Sequence, residues 1–336
     1  MASSWTPAVG IIANPAAGKD IRRLVAQGRF VTNQEKVNIL RRVLAGIESV
    51  GVRRVVFMPD MSGLGHGSLD GSTNSLSVEF VDILVTNKEI DSTRSAEAMQ
   101  NQGVGCIVTL GGDGTNRAVA KGAGDIPIVP ISTGTNNVFP QMMEGTVAGI
   151  AAGVLASREV DVDAVTRRST VMEVSIDGTM RDIALVDVAV STHRFIGARA
   201  LWDIDTITEL FLARTDADAI GLSAIGARLR PSDGGEHSAV HVTIGPGGET
   251  VDAPIAPGVV TTVPVSAWKP MAVGEVVDIG LRPCTIALDG ERALSVGAEE
   301  SAHVTLRDNG PLVVDVEKAI REATRLGVFG GQVVDT

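Results

Sequence analysis

Apolar residues are distributed differently in the two halves of the chain. Through the first 157 positions, short Val- and Ile-rich runs at residues 8–13, 53–58, 81–86, 106–110 and 126–131 alternate with stretches of helical spacing. Continuous apolar runs separated by amphipathic helices predict a parallel sheet covered by helices. The clearest helix spans residues 33–49, where Val37, Leu40, Val43, Leu44 and Ile47 share a stripe and Thr32 with Glu35 forms a capping box. A second helix begins near Asp91 and a third spans residues 147–156.

Beyond these, short strands dominate, at residues 170–176, 182–190, 239–244, 259–264 and 276–281, separated by Gly, Pro and Asp turns. Residues 197–230 interrupt them with a helix-like stretch expected to form a cap or an interface element. Helical spacing returns at 316–326, with Ala319, Ile320, Ala323 and Leu326 on one face, so this C-terminal helix is expected to pack back on the first half. A chain of 336 residues exceeds what one core usually organises. The expected division is an α/β nucleotide-binding domain at 1–157, a β-rich substrate and oligomerisation domain at 158–313, and a returning helix at 314–336.

Composition narrows the function. Hydrophobic residues make up 44% and charged residues 21%, enough to build a core without disulfides or metals. The net charge of −11 repels nucleic acid and anionic lipid, and an aromatic content of 3% with no Tyr leaves few rings to stack on bases. Neither nucleic acid nor membrane is an expected partner. No basic segment followed by a long apolar run opens the sequence, and no stretch approaches the roughly 18 uninterrupted apolar residues of a membrane span. A cytoplasmic location is expected. Cys106 and Cys284 sit far apart in strand-like contexts and read as buried free thiols.

The segment with most chemistry is Gly111-Gly112-Asp113-Gly114-Thr115, where an apolar strand ends abruptly and a helical stretch beginning near Asn116 follows. Ligands bind beyond the carboxyl ends of strands in open α/β sheets. Glycines let backbone approach a polyphosphate, and a helix N-terminus offers unpaired N–H groups to it. A carboxylate there can take a proton from an incoming hydroxyl or help to hold Mg²⁺. A tight turn with a helix-capping Asp is the plain alternative. Two further strand exits are polar: Asn14-Pro15-Ala16-Ala17-Gly18-Lys19, with small residues and one cation, and Ser132-Thr133-Gly134-Thr135-Asn136-Asn137, whose hydroxyls and amides can bond ribose or adenine. The first is not a Walker A loop, because Asp20 follows Lys19. Asp289-Gly290-Glu291 adds two carboxylates around a turn in the second half, where a plain hairpin is the alternative.

In this order the four motifs resemble the superfamily of NAD kinases, diacylglycerol kinases and sphingosine kinases, and within it the acetoin-catabolism protein X (AcoX), ATP-NAD kinase-like family. The resemblance spans nearly the whole chain. It implies a Rossmann-like parallel sheet with helices, a C-terminal β-sandwich domain and an active site between them. It places Asp113 as the catalytic aspartate and first choice of base, with Gly111, Gly112, Gly114, Thr115 and Asn116 around the phosphates. Thr133, Thr135, Asn136 and Asn137 would contact nucleotide, as would Asn14, Gly18 and Lys19, while Asp289 and Glu291 would face the cleft as an acidic pair. It further implies ATP with Mg²⁺ carried on the nucleotide, a small hydroxyl acceptor with NAD the leading specific candidate, and a homodimer. Where NAD kinases carry an Asn-Asp or Asn-Glu pair, this chain has Leu185-Val186-Asp187, leaving Asp187 as the acceptor-binding residue. The adenosine loop corresponds to Gly221-Leu222-Ser223-Ala224-Ile225-Gly226, which is more apolar. Alternatives are a ketol or polyol kinase, or a nucleotide-binding accessory protein without turnover. A dinucleotide oxidoreductase is disfavoured, since no Gly-x-Gly-x-x-Gly follows the first strand.

Three features carry less. His237 and His241 lie four apart without a third ligand. His66, in the glycine- and serine-rich stretch 62–75, could meet a substrate under a closing lid. Arg194, Arg199, Asp203 and Asp205 surround Trp202 and could line an acceptor pocket or form surface ion pairs.

Overall fold

The computed structural model describes residues 6–18, 27, 31–70, 75–134, 136–193, 204–231 and 239–330. Lys19, Thr135, Arg194, Arg199, Trp202, Asp203 and His237 therefore lie outside the described residues. The first half runs β1 (Ala8–Ala13), α1 (Asn33–Ser49), β2 (Arg54–Phe57), α2 (Leu64–Leu69), β3 (Ser77–Phe80), α3 (Ile90–Asn101), β4 (Cys106–Gly111), α4 (Asp113–Ala123), β5 (Ile128–Ser132), α5 (Gly145–Ala156), α6 (Val162–Val165) and β6 (Thr166–Arg168). Next come β7 (Val171–Ile176), β8 (Thr179–Ala184), β9 (Asp187–Ser191), β10 (Ile207–Leu212), α7 (Ser223–Leu229), β11 (Val240–Ala256) and β12 (Val259–Pro270). The chain closes with β13 (Val276–Asp278), β14 (Cys284–Leu288), β15 (Glu291–Val296), β16 (Ala302–Arg307), β17 (Leu312–Val314) and α8 (Val316–Arg325).

β1 and β4 are buried along their whole length, as strands covered on both faces must be. They lie side by side in a sheet ordered β3-β2-β1-β4-β5-β17-β6, parallel except for β6. Winding reverses between β1 and β4, and the reversal opens a crevice beyond their carboxyl ends. The loops that begin at Asn14 and Gly112 both stand there. Thr32 caps α1 as expected, its Oγ1 accepting from the Glu35 amide at 3.1 Å. The stripe Leu40, Val43, Leu44 and Ile47 is fully buried.

The β-rich half is two antiparallel sheets, ordered β12-β11-β10-β9-β14-β15 and β13-β16-β7-β8. One face of each enters a shared core containing Val174, Val188, Phe211, Ile286 and Val304, which makes a sandwich. The chain then returns: β17 pairs beside β5, and α8 buries Ala319 and Ala323 in the core of the first sheet.

Several expectations are corrected. The strand expected at 81–86 is Ser77–Phe80, whose alternate exposure marks a sheet edge rather than an apolar run. The single strand at 182–190 is two, broken at Leu185-Val186, because those amides bond a side chain instead of a ladder. The stretch 197–230 contains a strand, β10, as well as helix α7. Leu326 is exposed, since its helix ends one residue earlier. His66 stacks on Phe80 at a centroid distance of 4.3 Å, held to the first sheet's edge. His241 stacks on Phe211 at 4.4 Å and faces Glu209 at 3.2 Å. Both cysteines are buried free thiols, and burial pushes Cys284 up to about 11. Among the described residues no helix is long and apolar enough to cross a membrane.

Candidate active site

Gly112 caps α4 in extended conformation, so Asp113 and Gly114 open the helix with their amides toward the crevice. The turn leaves no room for a side chain at Gly111 or Gly112. A β-carbon on Gly111 would lie 2.4 Å from that of Thr115, and one on Gly112 would lie 2.8 Å from Asn137 Oδ1. Asn14 locks the neighbouring loop to this one, its Nδ2 donating to Thr115 Oγ1 at 2.9 Å, while Gly18 turns with φ +76 beneath the Thr133 carbonyl. Asp113 is only 8% exposed, and its carboxylate accepts from the amides of Val138 and Phe139, with the shortest contact 2.8 Å. These bonds bind it to the loop after β5.

From the opposite side, the turn after β14 presents Asp289 with φ 51 and Gly290 with φ 77. Asp289 Oδ1 accepts from the amides of Leu185, Val186 and Asp187 at 3.0, 2.8 and 3.4 Å. Val186 thus contributes through its backbone N–H, which any residue other than Pro would supply. Asp289 Oδ2 has no hydrogen-bond partner and stands 4.0 Å from Arg117 Nε. Burial pushes the Asp289 carboxyl up to about 6, against the pull of Arg117 and the three amides.

Two cavities meet between these elements. The larger, about 560 Å³, is bordered by Asn14, Gly18, Gly112, Asp113, Gly114, Thr115, Asn137 and Glu291 and extends to Asp60 and Asp91. The smaller, about 260 Å³, is bordered by Asp187, Gly221, Leu222 and the tip of the β11–β12 hairpin. Asp113, Asn136 and Asp289 border both. The larger cavity is acidic, with Lys88 the one cation among its described lining residues. Polyphosphate would therefore enter with metal cations neutralising it. Among the described residues no set of three or more His, Cys, Asp or Glu is placed to hold a metal.

Three residues expected at the phosphates, Gly111, Asn116 and Thr133, border neither cavity. Asn116 is fully buried under the loop, its Oδ1 accepting from Thr109 Oγ1 at 2.7 Å and its Nδ2 donating to the Gly112 carbonyl at 2.9 Å. Thr133 is buried beside Gly111, whose carbonyl accepts from its amide at 3.0 Å. Both shape the cradle without bordering either cavity.

Three basic residues were missed. Arg117, 2% exposed, donates to the Leu288 carbonyl at 2.9 Å and to Glu89 at 3.0 Å. Burial alone would lower its pKa, but Asp289, Glu89 and Asp182 outweigh it and hold the guanidinium above its usual value. Lys36, fully buried on α1, donates to the carbonyls of Asn14, Pro15 and Ala17 at 3.0, 3.2 and 2.9 Å and so sets the first loop. Arg214 lies 4.9 Å above the Phe139 ring, behind Asp113. A helical stripe analysis reads cations as solvated, so only the signal of Arg117 one turn after Asp113 could have pointed inward.

Residues 9–160 match the family model described as the ATP-NAD kinase N-terminal domain, and residues 170–309 match the acetoin catabolism protein X C-terminal domain. Acetoin catabolism protein X of Cupriavidus necator is 39% identical over 333 residues, covering 95% of this chain and 93% of that protein. Among solved structures, yeast NADH kinase complexed with NADH aligns with a TM-score of 0.49 at 14% identity, over 99% of this chain and 91% of that one.

Proposed function

We propose that this chain, which belongs to the acetoin catabolism protein X family, is an ATP-dependent kinase acting on the hydroxyl of a small acceptor. The observation that carries the reading is the meeting of two cavities at Asp113, Asn136 and Asp289. That arrangement suits a two-substrate transfer, because the reacting atoms of donor and acceptor must be held together at one point. The larger cavity, floored by the glycine loop and the start of α4, suits the donor's phosphates. The smaller suits the acceptor.

In phosphoryl transfer the protein chiefly positions the reactants and offsets charge. The amides of Gly112 to Thr115 would neutralise the equatorial oxygens. Asp113 would orient the acceptor hydroxyl and receive its proton, its own direction fixed by the Val138 and Phe139 amides. Steady-state assay of ADP release, with mass spectrometry of the product and with alcohols, ketols, polyols and NAD as acceptors, tests the reading. Asp113→Asn is expected to lower kcat about 10²- to 10⁴-fold with ATP affinity retained. Wild-type turnover in the variant, or no ADP with any acceptor, would sink it.

A further inference from the structure

The smaller cavity is built for a different ligand from the larger one. Its wall is Ile204, Ile207, Ile220, Leu222, Ile255 and Val259, all aliphatic. The polar side chains of its lining are Asp113, Asn136, Asp187 and Asp289, three of which also border the larger cavity. The polar groups thus gather where the cavities meet. There Asn136 Oδ1 is buried without a hydrogen-bond partner, while its Nδ2 reaches the Ile255 carbonyl at 3.4 Å. A second hydroxyl, as in a 1,2-diol, would satisfy that oxygen while the first is directed at Asp113.

We propose that this chamber holds the hydrocarbon body of a small aliphatic alcohol, with its hydroxyl at the junction, and that such an alcohol is the phosphoryl acceptor. The proposal rests on the kinase reading above. Charge alone does not sort the acceptors, since both cavities are acidic: the described lining here carries three carboxylates and no Lys, Arg or His, so an acceptor bearing its own diphosphate would need cations with it, as the donor does in the larger cavity. Chemistry argues against a base or sugar, because the described lining has no aromatic ring to stack on and three of its four polar side chains border the junction. Size agrees, since about 260 Å³ is below the ~300–1,000 Å³ of sites for drug-sized ligands. The hairpin tip completes the enclosure, the Pro257 carbonyl accepting from the Gln27 amide at 3.0 Å and so tying Ile255 and Val259 to the first half. In the reaction the alcohol oxygen bonds to the γ-phosphorus as the bond from that phosphorus to the β,γ-bridging oxygen breaks. The hydroxyl proton passes to Asp113 and on to water, and ADP departs.

The test uses the full chain and two readouts. Ligand-observed NMR measures binding of 1,2-diols from ethanediol to hexanediol, and coupled assay measures ADP formation with the same diols and with NAD. Each added methylene should raise affinity and kcat/KM about fourfold until the chamber is full, and NAD should be inert. Ile220→Trp, which fills the chamber from a half-buried position, should lower both at least tenfold, with Val259→Trp as a second variant should the first fail to fold. Binding that is absent, independent of chain length or indifferent to the filled variants overturns the chamber's assignment. Phosphorylation of NAD with the diols inert overturns it too and leaves the kinase reading standing. Graded diol binding lost in the variants, with no ADP from any acceptor, keeps the chamber's ligand class and removes the kinase reading instead.

Discussion

Asp289 uses its two oxygens differently, one accepting three backbone amides and the other left facing Arg117 Nε at 4.0 Å. Its carboxyl is pushed up to about 6 from 3.8, so between pH about 4 and 6 the folded protein holds a proton that the unfolded chain releases. Stability attributable to this group therefore falls as pH rises through that window, by on the order of 3 kcal/mol. Asp289→Asn removes the titration. Denaturant unfolding at several pH values should show the wild type losing stability relative to the variant from pH 4 to 6, and parallel curves would refute the assignment. That Asp289 borders the cleft was legible from the Asp-Gly-Glu motif. Its amide partners were not, because Leu185 and Val186 offer no polar side chain and contribute only through backbone.

Helices α1 and α5 approach closely enough that glycine is required at their crossing. A β-carbon on Gly149 would lie 2.1 Å from the Val43 carbonyl, and one on Gly46 would lie 2.1 Å from that of Thr146. Overpacking of this kind costs about 1–3 kcal/mol or more. Gly149→Val should lower the free energy of unfolding by that amount, with its effect on kcat following only from loss of folded protein. The bounds of α1 could be read to the residue from its Thr32 cap and apolar stripe. The close crossing could not, since Gly145, Gly149 and Gly153 look like poor helix formers until the facing backbone is known. Strand β3 was misplaced for a related reason: an edge strand alternates Ser77, Val78, Glu79 and Phe80, and Arg54 pairs with Glu79 at 2.9 Å where a central strand would be apolar.

Across the molecule, α4 joins the parallel sheet to the sandwich. Arg117 reaches the Leu288 carbonyl and Lys121 reaches Asp182 at 2.7 Å, while both hold Glu89 on the near side. The helix that begins with Asp113 is thus the same one that fixes the second half against the cleft. Arg117→Met leaves Asp289 buried without its countercharge and should cost about 3–5 kcal/mol in chemical unfolding. Combined with Asp289→Asn, the loss should be smaller than the sum by about 0.5–3 kcal/mol; strict additivity would mean the pair does not interact. Local order was settled along the chain: strand, glycine turn and helix follow one another in β4 and α4, because each is set mainly by residues a few positions away. Which loops share a cleft was decided by the fold, since strand order placed β1 beside β4 and the sandwich carried Asp289 to Arg117, 172 positions away in sequence. The aliphatic chamber arises in the same way. Its walls come from β10, the turn before α7 and the β11–β12 hairpin, and residues so far apart define a ligand only after packing has brought them together.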